Sequence, residues 1–405
     1  MAKPKLLYLC HRIPYPPNKG DKIRSFNLLK ALAEQFDVYL ACFVDDPFDW
    51  QYEQRLAQWC QDYVCVGQHK TLSKIKGLTA LLTGKPITLP YYSSRSIQAW
   101  VDQTMATVKP THVLVFSSAM AQFVTGPAFD NVKKIIDLVD VDSDKWRQYA
   151  DNHSGINRWI YQREHQKLAA FEQECLARFD QTLLVSDDEA SLFRRLSAPS
   201  QQHKITALLN GVDTVFFDPA AASAEPEFPC HNRYLVFTGA MDYWANVDAV
   251  RWFVQQVWPL LAAKQPELKF YIVGGKPTAE VQALASENII VTGRVHDVRP
   301  YISRAALVVA PLRIARGIQN KVLEAMSMAK PIVATGMAME GINAPLHHAL
   351  QQSDDAAAFA AHCLSMLEAS PDAASNRQWV LENFTWQATL AALNHWSEIN
   401  TDEPD

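Results

Sequence analysis

The sequence contains no apolar stretch long enough to cross a membrane. The run nearest the start, "KLLYLC", covers six residues, which is too short for a membrane span or a secretory signal and predicts a first buried strand. Positive charge is not in excess either, since 38 Lys and Arg face 43 Asp and Glu for a formal net charge of −5. General nucleic-acid binders are usually basic. We therefore expect a cytoplasmic protein without a nucleic-acid partner.

Several motifs of other enzyme classes are also missing. The seven cysteines form no C-x-x-C pair, and their odd number favours free thiols in a reducing compartment. The loop after the first strand, "CHRIPYPPNKG", lacks the G-x-G-x-x-G of dinucleotide-dependent oxidoreductases. No Gly-x-Ser-x-Gly elbow, no Walker spacing and no zinc-ligand spacing occurs. These absences argue against a hydrolase, a P-loop enzyme and a zinc site.

What the sequence does contain is a regular alternation of short apolar runs with helix-length segments. Its first half carries the runs "KLLYLC", "DVYLACFV", "THVLVFSS", "KKIIDLVDV" and "QTLLVS". After an irregular, Ala- and Pro-rich stretch the alternation resumes with "YLVFTGAM", "LKFYIVGG", "NIIVTGRV", "ALVVAPLR" and "PIVAT". Such alternation predicts parallel sheets covered by helices on both faces. At 405 residues, the chain is expected to form two doubly wound α/β halves, joined near residues 210–230.

Glycines and charges gather after the strands of the second half. Gly239, Gly274 and Gly293 each follow a predicted strand, where glycine lets backbone approach a ligand closely. Further on, Gly317 leads into a helix that carries Lys321 and Glu324. Arg313 and Arg316 precede this glycine. The free N–H groups and the positive dipole end of a helix start attract anions. The segment therefore predicts an anion site, although solvated helix-start charges would give the same pattern.

Taken in order, these segments resemble a known enzyme family. The segments "LLNGVDTVFF", "FTGAMDYWANVDAVRWF", "YIVGGKP", "VTGRVHDVRPYI" and "KVLEAMSMAKPIVAT" resemble the C-terminal half of retaining family 4 glycosyltransferases of the GT-B fold. The segment "HRIPYPPNKGDKIRSFNLLKAL" is similar to their acceptor-side loop. The segments "DLVDVDSDKWRQYA" and "YQREHQKLAAFEQECLARFDQTLLVSDDEA" are similar to the subgroup associated with exosortase (PEP-CTERM) exopolysaccharide gene clusters.

The resemblance implies two Rossmann-like domains that face an interdomain cleft. An acceptor-side domain would span residues 1–210 and a nucleotide-sugar domain 211–384, with a C-terminal helix at 385–405 packing back on the first. It also implies transfer of a sugar from a UDP- or GDP-sugar to an acceptor hydroxyl with retention, the acceptor being a lipid-linked saccharide. No tightly bound cofactor and no metal is required. The alternative is a non-catalytic sugar-nucleotide-binding or scaffold relative.

The resemblance also assigns residues on the donor side. Glu324 would hold the ribose hydroxyls, and Arg316 and Lys321 would neutralise the leaving diphosphate, so these three form the catalytic set. Arg316 stands where the family has a first glutamate, a departure that bears on the donor sugar. The remaining donor contacts expected are with the backbone or side chains of Gly239, Asn246, Gly274, Gly293, Arg294, Gly317 and Ile318. Asn246 either reaches a phosphate or caps a helix.

On the acceptor side, Gly20 would let the loop pass close to the substrates. Lys19, Asp21 and Arg24 are candidate acceptor or phosphate contacts, although charges at this helix start would also serve as ordinary caps. The family often has a histidine at a strand end, which either Ser117 and Ser118 or Asp140 and Asp142 would replace here. His11 is a further candidate, although a lone histidine after a first strand is more often structural. The same "DVDSD" stretch leaves open an Asp-x-Asp metal site.

A membrane contact is predicted for the basic segment "HKTLSKIKGLTALLTGKP". Its leucines and isoleucine recur at helical spacing, and lysines surround them. Such a segment lies on anionic lipid or forms an ordinary helix with a charged outer face. The first alternative implies a peripheral location at the inner membrane.

Overall fold

The computed structural model describes residues 3–68, 71, 77, 80, 84–151, 153–221, 233–314, 317–391 and 393. The chain divides into two compact units. The first unit runs to Leu209 and takes up the chain again from Leu390, and the second unit is Asn210–Thr389. Most of the predicted helix at 385–405, and most of the basic segment 69–86, lie outside the described residues.

The first unit is built on a seven-stranded parallel sheet, in the order β3-β2-β1-β4-β5-β6-β7. Its strands are β1 Lys5–Cys10, β2 Asp37–Val44, β3 Cys60–Gly67, β4 His112–Phe116, β5 Lys133–Val139, β6 Gln181–Leu184 and β7 Ile205–Ala207. Its helices are α1 Gly20–Gln35, α2 Thr88–Tyr91, α3 Arg95–Thr107, α4 Asp142–Asp151, α5 Gly155–Arg178 and α6 Asp187–Leu196, with 3₁₀ turns at Pro47–Gln58, Ser118–Phe123, Pro127–Phe129 and Pro199–Lys204.

The second unit carries a six-stranded parallel sheet, in the order β10-β9-β8-β11-β12-β13. Its strands are β8 Tyr234–Thr238, β9 Lys269–Val273, β10 Ile289–Gly293, β11 Leu307–Ala310, β12 Ile332–Ala334 and β13 Leu350–Gln352. Its helices are α7 Trp244–Trp252, α8 Trp258–Ala262, α9 Ala279–Gln282, α10 Arg299–Arg304, α11 Asn320–Ser327, α12 Ala356–Ala369, α13 Ala374–Asn383 and α14 Trp386–Leu390, with 3₁₀ turns at Pro219–Ala221 and Met337–Met339 and a π-helical turn at Phe253–Val257.

Both sheets explain why the sequence shows continuous apolar runs. The central strands β1, β4, β8 and β9 are buried along nearly their whole length, as expected for parallel strands covered on both faces. In each sheet the strand order reverses once, between β1 and β4 and between β8 and β11. Ligands of such sheets bind outside the carboxyl ends of the strands near the reversal. Two α/β parallel-sheet units confirm the predicted fold class.

One predicted acceptor contact, Arg24, belongs to the core of the first unit instead. Its side chain is 1% exposed, its Nε donates to Asp137 Oδ2 at 2.7 Å, and its Nη1 donates to the carbonyl of Leu208 at 2.6 Å. Burial raises the pKa of Asp137 against the opposing charge of Arg24. The guanidinium is therefore engaged inside the unit, contrary to the prediction that it contacts an acceptor.

The described cysteines are free thiols, and most of them are buried. Cys10, Cys42 and Cys65 lie in register on β1, β2 and β3, with the sulfurs of Cys42 and Cys65 3.5 Å apart. Burial raises the pKa of the Cys10 thiol well above its usual value. In the second unit the described cysteine is Cys363, which is fully buried in α12. Thiols at these positions are poorly reactive in the folded state.

Helix α5 borders the basic segment that was predicted to meet lipid. Arg163 Nη2 donates to the carbonyls of Ala80 at 2.6 Å and Lys85 at 3.1 Å. Among the residues that the structure describes, no helix combines the length and apolar character that a membrane span needs.

Candidate functional site

The three strand-end glycines of the second unit lie side by side at the carboxyl edge of its sheet. The N–H of Gly274 donates to the carbonyl of Gly293 at 3.2 Å, and the N–H of Gly239 donates to the carbonyl of Val273 at 3.0 Å. A Cβ added to Gly274 would lie 1.7 Å from the carbonyl oxygen of Gly239. No other residue fits at position 274. Glycine is therefore required at position 274 by the contact between two backbone segments of the protein. That a ligand contacts the backbone at this edge stays a prediction.

Lys321 reaches from the first turn of α11 towards the loop after β8. Its Nζ donates to Asn246 Oδ1 at 2.5 Å and lies 4.4 Å from the centroid of the Phe237 ring. Asn246 Nδ2 in turn donates to the carbonyl of Ala240 at 2.9 Å. Asn246 is the third residue of α7, whose N-cap is Tyr243, so it does not cap that helix. It bridges the glycine loop and Lys321.

Lys321 and Glu324 are oppositely charged groups, and each affects the pKa of the other. Both residues are half-buried. The protein atoms packed around each side chain reduce its hydration and so disfavour its charged form. Burial lowers the pKa of Lys321 to about 7 against the attraction of Glu324, and burial raises the pKa of Glu324 to about 7 against the attraction of Lys321. Near neutral pH, an arriving anion or hydroxyl donor can therefore decide the charge of either group.

The start of α11 holds the other predicted anion contacts. Gly317 has φ +64°, a left-handed conformation that favours glycine, and its carbonyl accepts from Gln319 Nε2 at 2.9 Å. Ile318 is buried against Gly341. Arg316 lies outside the described residues. Arg313 donates through Nε to Asp248 Oδ2 at 3.0 Å, an ion pair with a half-exposed guanidinium.

Arg294, the predicted nucleobase contact, lies next to the glycine cluster. A Cβ placed on Gly275 would be 3.7 Å from the Cβ of Arg294, so this side chain leaves the backbone directly beside the loop after β9. The structure thus brings Arg294, Gly274 and Gly293 to one edge of the sheet.

On the acceptor side, the aspartates after β5 face a lysine. Lys145 Nζ lies 2.7 Å from Asp140 Oδ2 and 3.0 Å from Asp142 Oδ1. Burial opposes the charge of Lys145, yet Asp142 and Asp140 together raise its pKa above its usual value. These carboxylates are engaged in an ion pair. Gly20 begins α1 with open space beside its Cα, and Lys19 occupies the N-cap position.

The structure joins two candidates of the sequence analysis, His11 and Asp21, with Arg12 and Asp45, which the sequence did not single out. His11 Nε2 lies 3.3 Å from Asp21 Oδ2, and Arg12 Nη1 donates to the same oxygen at 2.6 Å. Arg12 also lies beside Asp45, which directly follows β2. Burial alone would raise the pKa of Asp21, but His11 and Arg12 hold it well below its usual range. For Arg12 and Asp45 the only signal in the sequence is their position after two apolar runs.

Comparisons with known proteins agree with this fold. Residues 232–369, which contain the glycines, Lys321 and Glu324, match the family "Glycosyl transferases group 1". An uncharacterized 44.6 kDa protein in the cps region of Klebsiella pneumoniae is 20% identical over 375 residues, which cover 89% of this chain and 90% of that protein.

Solved structures of low sequence identity share the fold over nearly the whole chain. Anabaena Alr3699/HepE in complex with UDP and glucose has a TM-score of 0.62 at 13% identity and covers 97% of this chain and 99% of its own. Sucrose-phosphate synthase from Thermosynechococcus elongatus has a TM-score of 0.69 at 16% identity, covering 97% and 98%. WaaG, a glycosyltransferase involved in lipopolysaccharide biosynthesis, has a TM-score of 0.61 at 14% identity, covering 98% and 100%. The chain has the GT-B fold, and its residues 232–369 are similar to the glycosyl transferases group 1 family.

Proposed function

We propose that the protein is a retaining glycosyltransferase of the exosortase-associated subgroup. It moves a sugar from a nucleotide diphosphate donor to an acceptor hydroxyl on a lipid-linked saccharide in exopolysaccharide biosynthesis, at the cytoplasmic face of the membrane. The group 1 domain supports sugar transfer, and the relative from a cps region supports the exopolysaccharide context. Retention and the lipid-linked acceptor rest on the resemblance of the sequence motifs.

The observation that carries the proposal is the arrangement of Lys321, Asn246 and Glu324 beside the strand-end glycines. Asn246 holds the Lys321 ammonium at the edge where these glycines lie. Negative charge that develops on a departing diphosphate would be stabilised by this ammonium and by the amides at Gly317 and Ile318, in a poorly solvated site where such interactions are strong. The Glu324 carboxylate accepts from two ribose hydroxyls. Arg316 supplies a second cation.

The proposal is tested by a panel of nucleotides. Binding to the folded state raises the unfolding free energy by about 2.7 kcal/mol at a ligand concentration of 100 Kd. We therefore expect UDP or GDP, and one of their sugars, to raise the melting temperature by several degrees, whereas ADP does not. Transfer to a lipid-linked saccharide is then measured with that donor, and the anomeric coupling in the product reports the stereochemistry. The proposal fails if no nucleoside diphosphate shifts the melting temperature.

Arg316, in place of the family's first glutamate, favours one competing function, a non-catalytic sugar-nucleotide-binding relative. Such a protein would bind the donor as tightly but would release no nucleotide from it in the presence of any acceptor. Donor binding without turnover in the same panel would select this alternative.

Donor binding should exchange protons with the solvent, with a sign that depends on pH. At pH 8 the free Lys321, with a pKa of about 7, is mostly neutral, and a bound diphosphate raises that pKa, so binding takes up a proton. At pH 6 the free Glu324, with a pKa of about 7, is mostly protonated, and ribose hydroxyls favour its carboxylate, so binding releases a proton. Calorimetry in buffers of different ionisation enthalpy measures both the proton uptake at pH 8 and the proton release at pH 6. Binding heats that do not depend on the buffer at either pH would contradict this assignment.

A further inference from the structure

A long connection leads from β11 into α11 and carries the amides that the proposed function assigns to the donor diphosphate. β11 ends at Ala310 and α11 begins at Asn320, so residues 311–319 join them. Such connections in α/β units usually have about 2–6 residues. A longer connection loses more conformational freedom when it becomes ordered. Contacts with the rest of the unit therefore decide whether the N–H groups of Gly317 and Ile318 stay in place.

Uncharged contacts hold both ends of this connection. Near its start, the hydroxyl of the buried Thr335, which follows β12, donates to the carbonyl of Leu312. Near its end, Ile318 packs against Gly341, where an added Cβ would lie 3.0 Å from Ile318 Cγ1. Gly341 has φ +74°, a left-handed conformation that favours glycine. These contacts attach the two ends of the connection to the core of the second unit.

Arg313 adds a charged contact between this connection and α7. Its Nε donates to Asp248 Oδ2 at 3.0 Å, and its Nη2 donates to Asp248 Oδ1, so the ion pair is bidentate. The side chains of Arg313 and Asp248 are 48% and 25% exposed. A bidentate pair fixes the orientation of the guanidinium as well as its distance, which makes it stronger than most exposed ion pairs. Two of the three guanidinium nitrogens are therefore directed at Asp248.

The same helix also holds the start of α11. Asn246 lies two residues before Asp248 on α7, and its Oδ1 accepts from Lys321 Nζ at 2.5 Å. Helix α7 thus contacts Arg313, which precedes the proposed diphosphate amides, and Lys321, which follows them. Because Asn246 and Asp248 belong to one helix, their backbones are fixed relative to each other. The two contacts together restrict the position of the chain between Arg313 and Lys321.

We infer that Asp248 is a positioning residue of the nucleotide site and acts through Arg313. Its carboxylate holds Arg313, and the chain that follows then presents the amides of Gly317 and Ile318 to the diphosphate before the nucleotide arrives. The effect on nucleotide binding rests on the proposed function, whereas the restraint of Arg313 by Asp248 does not. The competing role for Arg313 is direct contact with the diphosphate, and the two roles predict opposite effects of removing the charge of Asp248.

Titration calorimetry of the full chain with UDP and with GDP measures the effect on binding. Asp248→Asn should weaken binding of the preferred nucleotide about fivefold, the upper range for a partly exposed ion pair, and Asp248→Glu should restore most of the affinity. Arg313→Gln should weaken binding by a similar factor. The double variant should bind no more weakly than either single variant, because all three lose the same interaction. Glu280→Gln breaks the ion pair between α9 and Arg251 of α7 and should leave the affinity unchanged.

Limited proteolysis with trypsin measures the restraint of Arg313 in the absence of nucleotide. Trypsin binds the arginine side chain of its substrate in an acidic pocket, so in the wild-type protein Asp248 competes with the protease for the same guanidinium. Asp248→Asn should therefore speed cleavage after Arg313 about fivefold, as followed by mass spectrometry. Glu280→Gln should leave the rate of this cleavage at that of the wild type.

Three results would overturn the inference. The first is nucleotide binding by Asp248→Asn that equals or exceeds that of the wild type, and tighter binding would assign Arg313 to direct contact with the diphosphate. The second is a double variant in which the two single effects multiply, since the two residues would then act independently. The third is unchanged cleavage after Arg313 in Asp248→Asn, which would remove the restraint and leave the proposed function standing. If no nucleoside diphosphate binds the wild-type protein, the proposed function fails, whereas faster cleavage in Asp248→Asn would still establish the restraint.

Discussion

Replacing Lys321 with methionine should abolish stabilisation by UDP and GDP and lower sugar transfer by about 10²–10³-fold, the usual effect of losing one group that stabilises transition-state charge. The ammonium is held at the glycine edge by Asn246, and no other described cation shares that contact. Because Lys321 is half-buried with a lowered pKa, removing its charge should cost the free protein little stability. Thermal shifts and initial rates measure the two effects.

Lys330→Met is the matched control for this experiment. Lys330 lies shortly after α11, its pKa is also lowered by burial, and its Nζ donates to the carbonyl of Ser303 at 2.9 Å. Its loss should reduce stability slightly and leave nucleotide binding intact. If Lys321→Met retains the nucleotide shift of the wild type, the donor diphosphate does not bind at this lysine.

Replacing Arg24 with methionine should destabilise the first unit by about 3–5 kcal/mol, the effect expected when one partner of a buried ion pair is removed. Asp137, which is completely buried, would lose its compensating charge, and the carbonyl of Leu208 would lose a donor. Urea unfolding measures this loss of stability. The transition to follow is that of the first unit, which is the one that nucleotide does not shift. The double variant Arg24→Met with Asp137→Leu should recover much of the stability, because apolar replacement of both partners is often neutral.

Arg147→Met provides the surface comparison. Arg147 is half-exposed in α4 and pairs with Asp144 and Asp151, so its loss should cost below about 1 kcal/mol. If Arg24 contacted an acceptor, its replacement would instead lower transfer while stability stayed near that of the wild type.

The central part of the fold can be predicted from the sequence because burial on both faces leaves continuous apolar runs. The strands that were missed lie towards the edges of the two sheets. β3 is half-exposed along most of its length, and β7 and β13 have three residues each. Low burial of β3 removes its apolar run, and β7 and β13 are too short to show a pattern, so the sequence does not distinguish these strands from loops.

The positions of the strand-end glycines could be predicted because backbone constraints leave a mark in the sequence. Gly239, Gly274 and Gly293 are glycines after strands, and a contact as close as that at Gly274 permits nothing larger. Side-chain partnerships leave no such mark. Arg24 lies 113 residues from Asp137, and Lys321 lies 75 residues from Asn246. Only the folded chain shows that the first arginine is internal and that the lysine is held by an amide.

Each unit contains buried thiols whose rate of chemical modification would report how often that unit opens. A thiol reagent can modify Cys363 only when α12 detaches, and can modify Cys10 or Cys42 only when the sheet of the first unit separates. With Cys230 replaced by serine, the labelling rate at Cys363 reports the opening of the second unit, and the rates at Cys10, Cys42 and Cys175 report the opening of the first unit. A nucleotide should slow modification of Cys363 in proportion to its occupancy, so one mass spectrum taken over time would show where the ligand acts.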